Sequence, residues 1–245
     1  MKQNIYDNET FYHSYMNLRE TMTGLNDVLE IPAFRALLSE MTGKAILDLG
    51  CGYGEACKWY VGQGAGSVVG IDISRRMIEK AKATYSDEKI DYQCCPIEDV
   101  EFSDNRFDMV LSSLAFHYVA DYGALVNKIG RWLKPGGYLL FSQEHPIATA
   151  KKVPDGWVKG DDGRKIHWIT DNYSEEGLRE QTWFINGVIK YHRTMATLVN
   201  TLIDEGFRIA KVVEPTALPA AEKMNCELKN ERRRPPFVII KAQKD

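Results

Sequence analysis

At 245 residues, 44% of them hydrophobic, the chain is long enough for one well-buried α/β domain with additions. A net charge of −3 gives no footprint for a nucleic-acid backbone. No apolar run reaches the roughly 18 residues of a membrane span, and the polar, aromatic N-terminus does not resemble a signal peptide. The five cysteines form no C-x-x-C pair, and the five histidines show no ligand spacing. Reduced thiols, a cytoplasmic location and no metal site are therefore expected.

Residues 1–43 read as an N-terminal cap. Aromatic side chains crowd around Tyr6 and again between Phe11 and Tyr15, and residues 32–41 carry Phe34, Leu37, Leu38 and Met41 on one helical face. Residues 44–54 give the strongest local signal: a short apolar strand, an acid, and then Gly50, Gly52 and Gly54 at alternate positions before a helical pattern from Glu55. Glycines so placed let the turn take positive φ and let a ligand come close. The helix behind them offers unpaired N–H groups and a positive dipole end. A dinucleotide fingerprint would need its third glycine where Glu55 stands, so the spacing is GxGxG instead. Asp48 suits a ligand with positive charge at that end. A second strand over residues 67–71 closes on Asp72, 18 residues past Gly54, where an acid can accept both hydroxyls of a ribose.

Further along, Ser74 is placed to cap a helix carrying Met77, Ile78 and Ala81, and residues 90–94 form a third strand. The fourth strand runs through Ser112 toward His117 and Tyr118. Asp121 opens a helix with Tyr122, Leu125, Val126, Ile129 and Trp132 at core spacing. Lys134-Pro135-Gly136-Gly137 stops that helix before a fifth strand over residues 138–142, which leads to His145. Thr194 caps a last helix, and residues 207–213 and 237–242 fit a sixth and a seventh strand. This order implies an α/β, doubly wound, seven-stranded, mostly parallel sheet, with ligands beyond the carboxyl ends of its strands.

The run from Ile46 to Gly54, with Asp48 before the glycines, Asp72 at its spacing and the later Leu133-Lys134-Pro135-Gly136-Gly137, resembles the class I S-adenosylmethionine-dependent methyltransferases. The resemblance covers most of residues 40–245 and implies their Rossmann-like fold, with S-adenosyl-L-methionine as cofactor and S-adenosyl-L-homocysteine as product. It puts Ile73 and Met77 against the adenine and Ile97 and Glu98 at the turn holding its edge, although Cys95 stands where the family usually has an aspartate. Ser112 falls beside the methionine portion. Tyr6 and Tyr15 become candidates for lid residues, since aromatic faces stabilise a sulfonium or shield it from water, the alternative being an aromatic staple that packs the cap onto the domain.

The N/D-P-P-Y motif of enzymes that methylate adenine, cytosine or glutamine amines is absent after the fourth strand, in keeping with the acidic balance. A small, flat aromatic or heterocyclic acceptor is expected, taking methyl on O, N or C. His145, at a strand end, is the first candidate for a base or substrate contact, and His117 is the second. Residues 146–193 are polar and aromatic, and Asn186-Gly187 suits a type I′ hairpin turn. They read as a substrate lid within a single methyltransferase domain spanning 1–245. Tyr118, Tyr173, Tyr191, His192 and Arg193 are candidates to line the acceptor site. The Glu231-Arg232-Arg233-Arg234 run reads as a solvated loop. A monomer or homodimer is expected, with a small molecule as partner. A non-catalytic cofactor-binding regulator, or less well an NAD-dependent oxidoreductase, are the competing readings.

Overall fold

The computed structural model describes residues 2–22, 24–152 and 156–245. The chain opens with α1 (Glu9–Thr21), a π-helical turn (Asn26–Glu30) and α2 (Ile31–Ala36). Strands and helices then alternate: β1 (Ala45–Leu49), α3 (Glu55–Gly62), β2 (Ser67–Asp72), α4 (Arg75–Thr84), β3 (Ile90–Cys94) and β4 (Phe107–Ser112). Next come α5 (Tyr122–Trp132), β5 (Leu133–Glu144) and α6 (Pro146–Thr149). Two hairpins follow, β6 (Trp157–Lys159) with β7 (Lys165–Trp168) and β8 (Gly177–Trp183) with β9 (Ile185–His192). The chain finishes with α7 (Met195–Asp204), β10 (Phe207–Val213), α8 (Pro219–Met224) and β11 (Phe237–Lys244).

Among the described residues, seven strands form one sheet in the order β10-β11-β5-β4-β1-β2-β3. β11 runs antiparallel to both of its neighbours, and the pairs from β5 to β3 are parallel. The expected doubly wound, mostly parallel sheet is what the chain builds. Alternate residues of its strands feed two faces. Leu47, Val69 and Val110 pack with Trp132 of α5 and Leu198 of α7, whereas Ile46, Val68 and Met109 pack with Phe34 of α2 and Tyr60 of α3. β1 is flanked by β2 on one side and β4 on the other, so strand order reverses there. A crevice opens at such a switch point because helices leave the two strands toward opposite faces.

Three local expectations are corrected. The helix expected over 32–41 begins at Ile31, with Pro32 favouring its first turn, and ends at Ala36. Leu37 and Leu38 tighten its end by donating to Phe34 and Arg35 carbonyls, and Met41 still reaches the same core cluster from the loop beyond. β5 starts at Leu133 rather than past the glycines: Leu133 pairs with Phe107, Tyr138 pairs with Met109, and the Lys134–Gly137 segment is accommodated as a register shift. The hairpin of β8 and β9 turns at Phe184, whose φ is +59°, and not at Asn186-Gly187. Gly187 uses its positive φ of +78° where the register slips by one residue, a bulge that twists the hairpin.

Candidate active site

A cavity of about 880 Å³ lies over the carboxyl ends of β1, β2, β4 and β5. That is room for a nucleoside-sized ligand and a second small molecule. Its floor is the turn after β1. Gly50 has φ +82°, and a Cβ there would come 2.5 Å from the Ala115 Cβ, so the turn closes against the loop after β4 only without a side chain. Gly52 faces the cavity, and a Cβ there would meet no protein atom within 4 Å. The space beside it is left to a ligand.

Asp72 ends β2 at the same wall. Its Oδ2 accepts the Gly52 N–H at 2.9 Å and its Oδ1 the Ser74 N–H at 2.8 Å. The carboxylate is therefore held still, and each oxygen keeps a lone pair for a sugar hydroxyl. Burial pushes its pKa up to about 6, against the downward pull of those two amides. Ile73, Met77 and Ile97 supply an apolar slot on the wall beside it, next to Glu98. Asp48 is buried at the end of β1, with the Cys57 thiol donating to Oδ2 at 3.3 Å, and burial lifts its pKa to about 7.

The N-terminal segment roofs this half. Asp7 accepts from the Ser74 hydroxyl at 2.6 Å and the Arg76 N–H at 3.2 Å, Asn4 donates to the Ile73 carbonyl, and Gln3 bonds both Gly187 and Ile189 of β9. Tyr6 and Tyr15 pack edge to face, 5.2 Å between centroids, on the cavity wall.

The other half lies toward β5 and the hairpins, where Tyr118, Trp168, Trp183 and Tyr191 line the wall with His117 and Glu144. Nδ1 of His117 accepts the Glu144 N–H at 3.4 Å, which leaves the ring proton on Nε2. Burial holds its pKa down to about 3, so the ring is neutral and serves as a donor rather than a proton acceptor. Burial resists the charge of Glu144, but Lys190 at 2.5 Å, with His117 and Arg234, holds it below the ordinary carboxylate range.

Of the residues singled out from sequence, Tyr6, Tyr15, Asp48, Gly50, Gly52, Asp72, Ile73, Met77, Ile97, Glu98, His117, Tyr118 and Tyr191 share this cavity. The others do not line it. Nδ1 of His145 accepts the Ile147 N–H at 3.1 Å and Nε2 donates to Glu214 at 2.8 Å, so the residue caps α6 with both nitrogens used. The Ser112 hydroxyl donates to the Leu49 carbonyl at 2.7 Å, tying β4 to β1. Gly54 has φ +86° and packs against Tyr92 and Ala81. His192 bridges Thr149 and the Tyr173 carbonyl, the Tyr173 hydroxyl accepts the Met195 N–H, and Arg193 donates to the Val119 and Ala120 carbonyls. These three brace the hairpin. Residues 153–155 of the expected lid lie outside the described residues.

Sequence reading missed Arg19, Glu30, Glu144, Trp168, Trp183 and Arg234 on the wall. Arg234 carried a misleading signal: Arg232 and Arg233 are exposed, but Arg234 turns inward over Trp168 and pairs with Glu231 at 2.8 Å. Arg19 and Glu30 carried none, since they come from a cap without strand or motif.

The glycine turn, the anchored Asp72 and the apolar slot fit an adenosine bearing a positively charged tail. The methyltransferase-domain family matches residues 47–141, from β1 to β5. The chain belongs to the class I S-adenosylmethionine-dependent methyltransferases, and S-adenosylmethionine is its cofactor. Its sequence is similar throughout to an S-adenosylmethionine-dependent methyltransferase of Mesorhizobium loti, whose crystal structure matches with 39% identity and a TM-score of 0.84 over 90% of this chain and 100% of that one. An uncharacterised Haemophilus influenzae protein is 37% identical over 99% of this chain and 98% of its own length. A ubiquinone biosynthesis O-methyltransferase of Nitrobacter winogradskyi is 36% identical over 43% of this chain and 40% of its own. Among the described residues, no helix is long and apolar enough to cross a membrane.

Proposed function

We propose that the enzyme methylates a small, flat, ring-bearing molecule held in the half of the cavity beyond the glycine turn. The observation that carries this reading is the wall of that half: Tyr118, Trp168, Trp183 and Tyr191 around the neutral His117. Aromatic rings bind flat acceptors by stacking and edge contacts, and a fixed N–H donor selects one bearing a carbonyl or ring nitrogen. The cofactor supplies an electrophilic methyl group when bound. What the chain adds is alignment and dryness: Asp72 and the glycine turn orient one partner, His117 the other, and Tyr6 and Tyr15 keep water out. The acceptor rests on the cavity rather than on named relatives, because the Nitrobacter enzyme matches only 43% of this chain. The net charge of −3 supports a small acceptor over a nucleic acid.

The test is transfer from methyl-labelled cofactor to two acceptor panels, one of flat heterocycles and phenols, the other of aliphatic amines and acids. Turnover confined to the first is expected, with Trp183→Ala raising KM for it more than tenfold. Turnover on aliphatic acceptors alone would overturn the reading.

A further inference from the structure

Glu30 is the last residue of the π-helical turn that precedes α2, and it is completely buried on the cavity wall. Oε1 accepts the Ser142 hydroxyl at 2.6 Å and the Ser113 hydroxyl at 2.9 Å, which pins the carboxyl against the ends of β5 and β4. Oε2 has no partner among the described residues. An acceptor oxygen sealed from water and left unpaired is costly, and such atoms in native proteins call for an explanation. π-Helical turns recur at functional sites for a related reason: the extra residue re-aims one side chain at the expense of regular bonding.

The surroundings narrow what the oxygen awaits. Asp48, also buried on this wall, is close enough for its charge and that of Glu30 to act on one another. Two buried carboxyls that repel are a poor arrangement for an empty cavity and a good one around a cation. Two guanidinium groups of the cap share the wall. Arg35 lies over the Trp59 ring at 4.5 Å. Arg19 is held by Asp27 at 3.0 Å and Glu55 at 3.3 Å, yet its Nε is buried without a partner. Both guanidinium groups are close enough for their charges to favour that of Glu30, so negative and positive groups share this part of the cavity wall. A ligand complementary to them carries an ammonium and a carboxylate on one carbon.

We propose that Glu30 binds the α-ammonium of the cofactor's amino-acid tail, together with Asp48, while Arg19 and Arg35 take its carboxylate. This rests on the cofactor lying in the cavity over the glycine turn. The cap then has a chemical role beyond shielding, because it reads the tail and so separates the intact cofactor from nucleosides that lack it.

Calorimetry with three ligands tests this: S-adenosylhomocysteine, its decarboxylated analogue S-adenosyl-3-thiopropylamine, and 5′-methylthioadenosine, which has neither charge. Glu30→Gln keeps the shape and removes the charge. It is expected to weaken the first two at least tenfold and to leave 5′-methylthioadenosine within twofold of wild type. Glu30→Asp, which withdraws the carboxylate by one methylene, is expected to cause a smaller loss confined to the same two ligands. An equal loss for all three ligands in both variants, or no loss for S-adenosylhomocysteine, would overturn the assignment. Wild-type protein that binds none of the three would instead overturn the placement of the cofactor.

Discussion

Asp48 sits at a strand tip where burial opposes its charge, and that has a consequence for the protein without ligand. Its folded pKa is raised to about 7 from an ordinary 3.8. The stability this group contributes is therefore present below about pH 4 and lost as pH rises through about 7. Asp48→Asn lacks that loss. The melting temperature of the variant is expected to gain on that of wild type as pH is raised from about 4 to about 8, and the gain should shrink with S-adenosylhomocysteine bound, because the ligand's ammonium offsets the buried charge. Parallel melting curves across that range would mean that the carboxyl ionises where ordinary aspartates do. Asp72, pushed up to about 6, follows the same sign with a smaller span. His117 runs the opposite way. Its folded pKa of about 3 makes its contribution complete above about pH 6.5 and lost as pH falls through 3, which is why the Asp48 effect is sought as a difference between variants.

Among the elements, the strand–turn–helix of β1 and α3 was legible because its glycines leave a local pattern, but their separate roles were not. Gly54 faces protein. A Cβ there would lie 2.4 Å from the Tyr92 hydroxyl and 2.9 Å from the Ala81 Cβ. Gly52 faces the cavity. Gly54→Ala is thus expected to cost about 2–4 kcal/mol through overpacking and a left-handed backbone, lowering the melting temperature by roughly 5–15 °C. Gly52→Ala should cost about 1 kcal/mol yet weaken S-adenosylhomocysteine the more. Calorimetry and thermal melts on both variants check the division, and the reverse ranking would refute it. Elsewhere the same limit recurs. The sheet followed from apolar periodicity, and Asp72 from its distance to the turn. Asn186-Gly187 announced positive φ, but only cross-strand pairing decides between a turn and a bulge. His145 stood at a strand end like a reactive group, and its partner Glu214 is 69 residues away. Arg19 and Glu30 are functional candidates only because the cap folds over distant strands, which no local pattern records.

For the molecule as a whole, the cap is one of the pieces that join sheet and hairpins. Asp7 binds the first turn of α4 while Gln3 bonds the edge of β9, so one short segment is fixed to both sides of the cavity. Asp7→Ala removes a carboxylate that caps α4 from a distance, a loss of about 1 kcal/mol. Dissociation of S-adenosylhomocysteine is expected to quicken severalfold in stopped flow, with residues 2–22 more readily cut by protease. An unchanged rate would mean that the ligand leaves by another route.

A clasp fastened on opposite banks cannot be undone over one of them alone. A movement that swings Tyr6 and Tyr15 aside is expected to strain the Gln3 bonds to β9 as well, and with them the footing of Trp183 and Tyr191. Departure of the two products is then expected as one release phase rather than two.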